Sequence, residues 1–355
     1  MARPLFAHID TAALRHNLAV ARSHAGNSRI MAVVKANGYG HGLVTVARAL
    51  ADADGFAVAT LDEAVALRNL GWRKPILLLE GIFAANEIAE CVAHRLSLVV
   101  HQHEQIKMLR AANLTEPLTI FLKLNSGMNR LGFKPPHYAL ALAELKSIPM
   151  LTHITQMSHF ACADDAIGIA AQLNVIETCF ASADYPTSLA NSAALFRFPT
   201  HRGDWVRPGI ALYGASPFAG QSAAELQLQA VMTLHSQIIA VQTLCIGEPL
   251  GYGHTWVADQ PSRIGIVACG YADGYPRHAN TGTPILVNGQ RTRTLGRVSM
   301  DMLFVDLTHL TDTGVGSQVI LWGKGLPVEE VAYAAGTINY ELLCARAQRV
   351  SEGNL

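Results

Sequence analysis

The chain has 355 residues, half of them hydrophobic and 15% charged, which is ample material for a buried core and excludes a disordered polypeptide. Lys plus Arg and Asp plus Glu both number 27, so neither nucleic acid nor an anionic membrane surface is an expected partner. No stretch approaches the about 18 consecutive apolar residues of a membrane span. The opening segment reaches Asp10 without the apolar centre of a secretory signal. The six cysteines form no C-x-x-C pair. Reduced thiols in a cytoplasmic protein are expected rather than a disulfide or zinc framework.

The first helix is predicted from an N-cap at Asp10 to a stop near Gly26. From residue 30 to about 214, apolar runs then alternate with helical patterns. The runs are Ile30–Ala36, Gly55–Thr60, Pro75–Gly81, Leu96–His101, Leu118–Asn125, Leu151–Phe160, Pro186–Ser192 and Trp205–Gly214. Most are continuously hydrophobic, as strands covered on both faces must be. Helical spacing recurs between them, as in Leu61–Leu70 and Glu104–Ala112. Eight strand–helix units suggest an α/β fold, an N-terminal (β/α)8 TIM-type barrel. A doubly wound sheet is the alternative, and one closed cylinder accommodates eight units better.

After about residue 228 the pattern changes to β-branched runs broken by Gly, Pro and Asn-Gly. Asn288-Gly289 is a hairpin signal. This part reads as a smaller, mainly antiparallel β domain with a late helix over Val328–Ala334. The expected division is residues 1–228 for the barrel and 229–355 for the β domain.

Lys35 and Lys123 lie at or near the C-terminal ends of predicted barrel strands, where barrel enzymes place catalytic groups. Desolvation there lowers an amine's pKa and frees it for Schiff-base or proton-transfer work; an ion-paired structural lysine is the plainer reading. Lys35 is followed by Ala-Asn-Gly-Tyr-Gly-His-Gly, a loop whose backbone can approach a phosphate. A second candidate anion site is VRPGIALYG at the eighth strand, with Gly209 and Ser192 as donors. A lysine amine beside a phosphate cradle suggests pyridoxal 5′-phosphate, whose aldehyde needs the first and whose phosphate needs the second.

The segments AVVKANGYGHG, KLNSGMNRLGF, SHFACADD, ANSAA, RPGIALYG, GYGHTW, GYADGYPR, GRVSMDM and TINYELLCAR follow one another from residue 32 to 346. In that order they resemble the successive motifs of the bacterial alanine racemase family. The resemblance implies a pyridoxal-phosphate-dependent isomerase, with a barrel followed by a β domain, working as a head-to-tail homodimer with shared active sites. It supplies D-alanine for peptidoglycan or degrades it.

By that resemblance Lys35 holds the cofactor and is one of two acid/bases. Tyr252 is the other and reaches in from the partner subunit. Arg207 faces the pyridine nitrogen, and His159 lies beside the ring. Tyr39, Ser192, Gly209, Ile210 and Tyr340 match phosphate-binding positions. Arg130 contacts the substrate carboxylate, and Lys123 matches a lysine that is carbamylated in some members. Tyr271, Met300 and Asp301 line the substrate pocket and its entrance. Asn125, Ser188 and Ser299 depart from the commonest pattern, and none of them is a base.

Two bases suit racemisation, because one proton must leave one face of Cα as another arrives on the opposite face. The rival readings are a broader racemase acting on serine, a related decarboxylase and a non-catalytic cofactor carrier. A decarboxylase would pair the pyridine nitrogen with a carboxylate, where this chain offers Arg207. A single-barrel carrier would lack both the second domain and Tyr252. No metal site is expected, since His101-x-His103 has no Cys/His cluster or H-E-x-x-H beside it. Cys269 and Cys344 lie in apolar runs and are expected to be buried and inert.

Overall fold

In this computed structural model, which describes residues 3–151, 153–180 and 185–353, the chain opens with strand β1 (Phe6–Ile9) and the helix Thr11–Ala25. Asp10 caps that helix, its side chain accepting from the N–H of Ala12 (2.8 Å) and Ala13 (3.0 Å). The barrel strands follow as β2 (Arg29–Val33), β3 (Gly55–Val58), β4 (Ile76–Leu78), β5 (Ser97–Val100), β6 (Thr119–Lys123), β7 (His153–Met157), β8 (Thr187–Ser188) and β9 (Trp205–Val206). Each of β2 to β7 pairs in parallel with its successor, and β9 pairs with β2 through Arg29–Trp205 and Ile30–Val206. The Arg207 N–H donates to the Ala190 carbonyl at 2.8 Å and closes the ring. Strands β3, β4 and β5 are buried throughout, which explains their unbroken apolar runs.

The eighth apolar run is not strand along its length. Pro208 has no N–H to extend a ladder, and Ile210–Tyr213 winds into a 3-10 turn instead. The seventh run also ends early. Asn191 accepts from the Ala194 N–H at 2.9 Å and starts the helix Ser192–Arg197. Both turns crowd the C-terminal mouth of the barrel.

The second sheet comprises β10 (Met232–Leu244), β13 (Ser262–Val267), β14 (Pro284–Val287), β15 (Gln290–Leu295), β16 (Leu303–Asp306) and β17 (Gln318–Trp322); a separate pair, β11 (Pro249–Leu250) and β12 (Trp256–Val257), forms a small hairpin. The antiparallel order β10–β13–β16–β15–β14–β17 returns to β10, so this sheet also closes on itself. The β14–β15 turn has φ of 46° at Asn288 and 77° at Gly289, the doubly positive geometry the Asn-Gly pair predicts. Strand β1 pairs antiparallel with β10, and β18 (Ser351–Glu352) pairs parallel with β1. The first strand of the chain therefore adds to the second sheet.

One hydrophobic core runs continuously through both parts. The helices Val328–Ala335 and Asn339–Cys344 lie across their junction. There Asn339 Nδ2 donates to the Ser216 carbonyl at 2.7 Å, and Glu329 accepts from the Ser216 N–H at 2.6 Å. That docking brings Tyr340 and Cys344 to the barrel mouth. Among the described residues no helix is long and apolar enough to cross a membrane.

Candidate active site

The chain leaves β2 at Val33 and enters a left-handed turn. Ala36, Asn37, Gly38 and Tyr39 have φ of 55°, 53°, 61° and 52°. Each non-glycine residue in this conformation costs roughly 1–2 kcal/mol. Local hydrogen bonds offset part of that cost. The Gly38 N–H donates to Val34 at 3.0 Å and the Gly40 N–H to Ala36 at 3.0 Å, and Asn37 Oδ1 accepts from the Leu43 N–H at 2.8 Å. The turn sets Lys35 and Tyr39 into a cavity of about 480 Å³ at the barrel mouth.

Tyr39 is buried and stacks on Tyr213 at 4.6 Å between ring centroids; Tyr213 in turn donates its hydroxyl to the Val33 carbonyl at 3.0 Å. A Cβ at Gly209 would lie 2.5 Å from the Tyr39 hydroxyl, so only glycine permits the approach. Ser192 Oγ accepts from the Gly209 N–H at 2.9 Å. The Ile210 N–H has no acceptor among the described residues. Burial pushes the Tyr39 and Tyr340 hydroxyls upward in pKa, so both remain neutral donors.

Four cations line the same cavity: Lys35, Lys123, Arg130 and Arg207. None of them makes an ion pair among the described residues. Burial, then the neighbouring Arg207, Arg130 and Lys35, lowers Lys123 to about 8. Arg207 is 4% exposed, and burial lowers it to about 10, so it stays charged at neutral pH. It donates to Ser188 Oγ at 2.5 Å and to the Ser158 carbonyl at 2.7 Å. Its Nη2 also lies 3.5 Å from His159 Nδ1. Burial and then Arg207 hold His159 well below its ordinary pKa, so the ring is neutral. Glu80 is the one carboxylate lining the cavity among the described residues. Such a surplus of positive charge beside neutral donors suits a ligand with several negative oxygens.

The structure brings together ten residues marked in the sequence: Lys35, Tyr39, Lys123, Arg130, His159, Ser192, Arg207, Gly209, Ile210 and Tyr340. Four others do not line this cavity. Tyr252, Tyr271 and Met300 are 70%, 38% and 53% exposed on the β domain, and Asp301 pairs with Arg349 at 2.6 Å. Tyr252 stands on a 3-10 turn between β11 and β12. Within the chain, a Cβ at Gly251 would meet the Phe304 ring at 2.8 Å, and one at Gly253 the Arg297 guanidinium at 2.9 Å.

Cys269 is buried as expected, but Cys344 is exposed and lines the cavity, because its helix turns that edge toward Lys35. Glu80, outside the quoted motifs, and Asn191, within ANSAA but given no role there, are further lining residues. Glu80 follows β4 much as Lys35 follows β2, so strand-end position was the available signal. Ser188, one of the departures from the commonest pattern, accepts a hydrogen bond from Arg207.

Residues 9–217 match the family described as alanine racemase, N-terminal domain, and residues 231–353 match alanine racemase, C-terminal domain.

The chain belongs to the alanine racemase family.

Across 99% of both chains it is 57% identical to the alanine racemase of Nitrosospira multiformis. It is 56% identical to that of Nitrosomonas europaea, over 99% of this chain and 98% of the relative. The crystal structure of the biosynthetic alanine racemase from Pseudomonas aeruginosa matches it with a TM-score of 0.96 at 49% identity, covering 99% of each chain. The alanine racemase structure from Acinetobacter baumannii matches at a TM-score of 0.92 and 41% identity, covering 99% of this chain and all of that one. This family membership covers both the barrel and the antiparallel domain.

Proposed function

We propose that this chain is an alanine racemase, interconverting L-alanine and D-alanine with pyridoxal 5′-phosphate held by Lys35. The observation that carries the reading is the mouth of the barrel, where a lysine amine lies with three further cations, all without an ion pair among the described residues, and a set of neutral donors. The cofactor's phosphate would be held by Tyr39, Ser192, Tyr340 and the Ile210 N–H, with the Gly209 N–H, which donates to Ser192 Oγ in this structure, at the edge of the same cradle. Gly209 supports that assignment, since a side chain there would meet the Tyr39 hydroxyl.

When bound, pyridoxal phosphate supplies an electron sink that acidifies the Cα proton of an amino acid. Lys35 Nζ takes or returns that proton on one face of Cα. The partner subunit would present its own copy of Tyr252 to the opposite face, in a head-to-tail homodimer, and its hydroxyl would carry the second proton. The exposure of Tyr252, Tyr271 and Met300 in the single chain supports that division of labour. Tyr271, Met300 and Asp301 would then wall the entrance of the partner's site.

Arg207 would face the pyridine nitrogen. A guanidinium has no proton acceptor and remains charged, so it leaves that nitrogen unprotonated and tempers the sink. His159 carries the hydrogen-bond chain outward from Arg207 beside the ring. Arg130 would bind the substrate carboxylate. Lys123 lies among these cations, and its depressed pKa makes its amine available to CO2. Reaction gives a carbamate and releases a proton, converting one of four cations into an anion that can buttress Arg130. We assign residues 1–228 to the barrel and 229–355 to the β domain, with β1 lent to the second sheet. A cytoplasmic enzyme feeding or consuming D-alanine is the corresponding biological role.

Chiral analysis of L-alanine incubated with the protein and pyridoxal phosphate tests the reading, with L-serine in parallel. Approach to an equal mixture from L-alanine supports it. No D-alanine from a protein loaded with cofactor would refute it, and equal turnover of serine would favour the broader racemase.

A further inference from the structure

His41 lies at the exit of the left-handed turn with no solvent exposure. Its Nδ1 is 2.8 Å from the Tyr39 carbonyl oxygen and 3.1 Å from that of Gly38. Carbonyls only accept, so Nδ1 carries the proton and donates to both. Nε2 keeps its lone pair and is buried with no partner among the described residues. Burial lowers the ring's pKa to about 4, against the pull of those two carbonyls, so it is neutral at physiological pH.

The ring also packs on Tyr213, at 4.7 Å between centroids, and Tyr213 stacks on Tyr39. Because Tyr213 is tied to the Val33 carbonyl, a closed bracket runs from the end of β2 through Tyr213 and His41 back to the turn. The next residues extend it. Arg346 Nε donates to the Gly40 carbonyl at 2.6 Å, and a Cβ at Gly40 would lie 2.1 Å from the Leu343 carbonyl, against the helix that carries Tyr340.

We propose that His41 is a positioning residue for recognition of the cofactor phosphate: its Nδ1–H clamps two carbonyls of the left-handed turn and thereby holds the Tyr39 hydroxyl over Gly209. The inference rests on the cofactor reading given above. A left-handed run of L-residues has lower-energy alternatives, and relaxation toward one of them would draw the Tyr39 hydroxyl away from the cradle. The clamp must also be neutral. A cationic ring would place an unpaired N–H in the core beside a cavity already crowded with positive charge.

The full-length protein should be compared with His41→Phe, His41→Asn and His41→Gln. Phe keeps a packed ring and loses the donor. Asn carries a donor close to the position of Nδ1, whereas the donor of Gln falls near that of Nε2. Affinity for pyridoxal phosphate and for unphosphorylated pyridoxal is read by absorbance titration, beside a thermal melt. The unmodified protein is expected to prefer the phosphorylated form. His41→Phe and His41→Gln should lose about tenfold of that preference, the scale of one buried hydrogen bond, with pyridoxal affinity within about twofold of wild type. His41→Asn should recover most of it. An equal loss for both ligands would mean that His41 only supports the fold, and an unchanged preference in the folded Phe or Gln variant would equally overturn the proposal. Should the Phe variant fail to fold, the contrast between Asn and Gln decides. If the unmodified protein binds neither ligand, the cofactor reading itself is wrong and the proposal falls with it.

Discussion

Arg207 Nη2 lies 3.5 Å from His159 Nδ1, in a cavity where neither residue meets a carboxylate partner among the described residues. A neutral imidazole can accept that hydrogen bond, and the buried guanidinium keeps its charge. The pair can therefore confer positive potential on a neighbouring group without either member changing protonation near neutrality.

This arrangement predicts the effect of Arg207→Glu. A carboxylate at that position would keep the cofactor's ring nitrogen protonated and strengthen the electron sink. Racemisation should fall while transamination rises, and pyruvate released from alanine is the readout. An unchanged ratio of pyruvate to racemised alanine would contradict the role given to Arg207.

Lys35 and Lys123 are both strand-end lysines, but only Lys35 opens the glycine-rich turn. Borohydride reduction of the cofactor-loaded protein should therefore fix the cofactor on Lys35. Peptide mapping that finds the label on Lys123, or on any other lysine, would overturn the assignment.

Lys123 gives a pH prediction. Its pKa in the folded chain is about 8, against an unperturbed value of 10.5. Between those values the unfolded chain binds a proton that the folded chain has lost, so this group's contribution to stability rises with pH across the window. Below about 8 the folded chain holds a buried cation, and that contribution is absent. The neutral amine is also the form that reacts with CO2. At fixed dissolved CO2, carbamate on Lys123 should increase as pH rises from 7 to 9, measured by NMR with labelled CO2. The labelled signal should vanish in Lys123→Met, and its persistence there would place the carbamate elsewhere.

The barrel was legible because its strands are covered on both faces, which leaves apolar runs such as Ile76–Leu78 unbroken. The Asn288-Gly289 hairpin was legible because that pair tolerates two positive φ values. The attachment of β1 to the second sheet was not, since four residues of strand carry no signal naming a partner more than 200 positions away. The eighth run looked like strand to Gly214 because a buried 3-10 turn is as apolar as a buried strand. The left-handed turn was hidden for a different reason. Asn37 and Gly38 tolerate positive φ, but Ala36 and Tyr39 have no intrinsic preference for it, and the ring of His41 holds the turn from outside.

Asp273 tests how the β domain is fastened. Its buried carboxylate takes Arg3 at 2.6 Å, Arg349 at 2.7 Å and the Gly270 N–H at 2.8 Å. Burial alone would raise its pKa, but these partners outweigh it and hold the group below the usual carboxylate value. Its contribution is therefore fully present at neutral pH and is lost as pH falls below the unfolded value of 3.8. Asp273→Asn should cost about 2 kcal/mol in urea unfolding at pH 7, and the deficit should shrink toward pH 3. A deficit that does not change with pH would show that the lost charge is not its cause.

The central claim is a site divided between Lys35 of one subunit and the partner's copy of Tyr252, and mixed dimers test it most directly. Lys35→Ala and Tyr252→Phe should each be inactive alone. Mixed under subunit exchange, about half the dimers become heterodimers. One of their two sites would hold both bases, and the other would hold neither. Alanine racemisation should then recover toward about a quarter of the wild-type rate as exchange completes. No recovery, with exchange demonstrated independently, would mean that both bases come from a single chain.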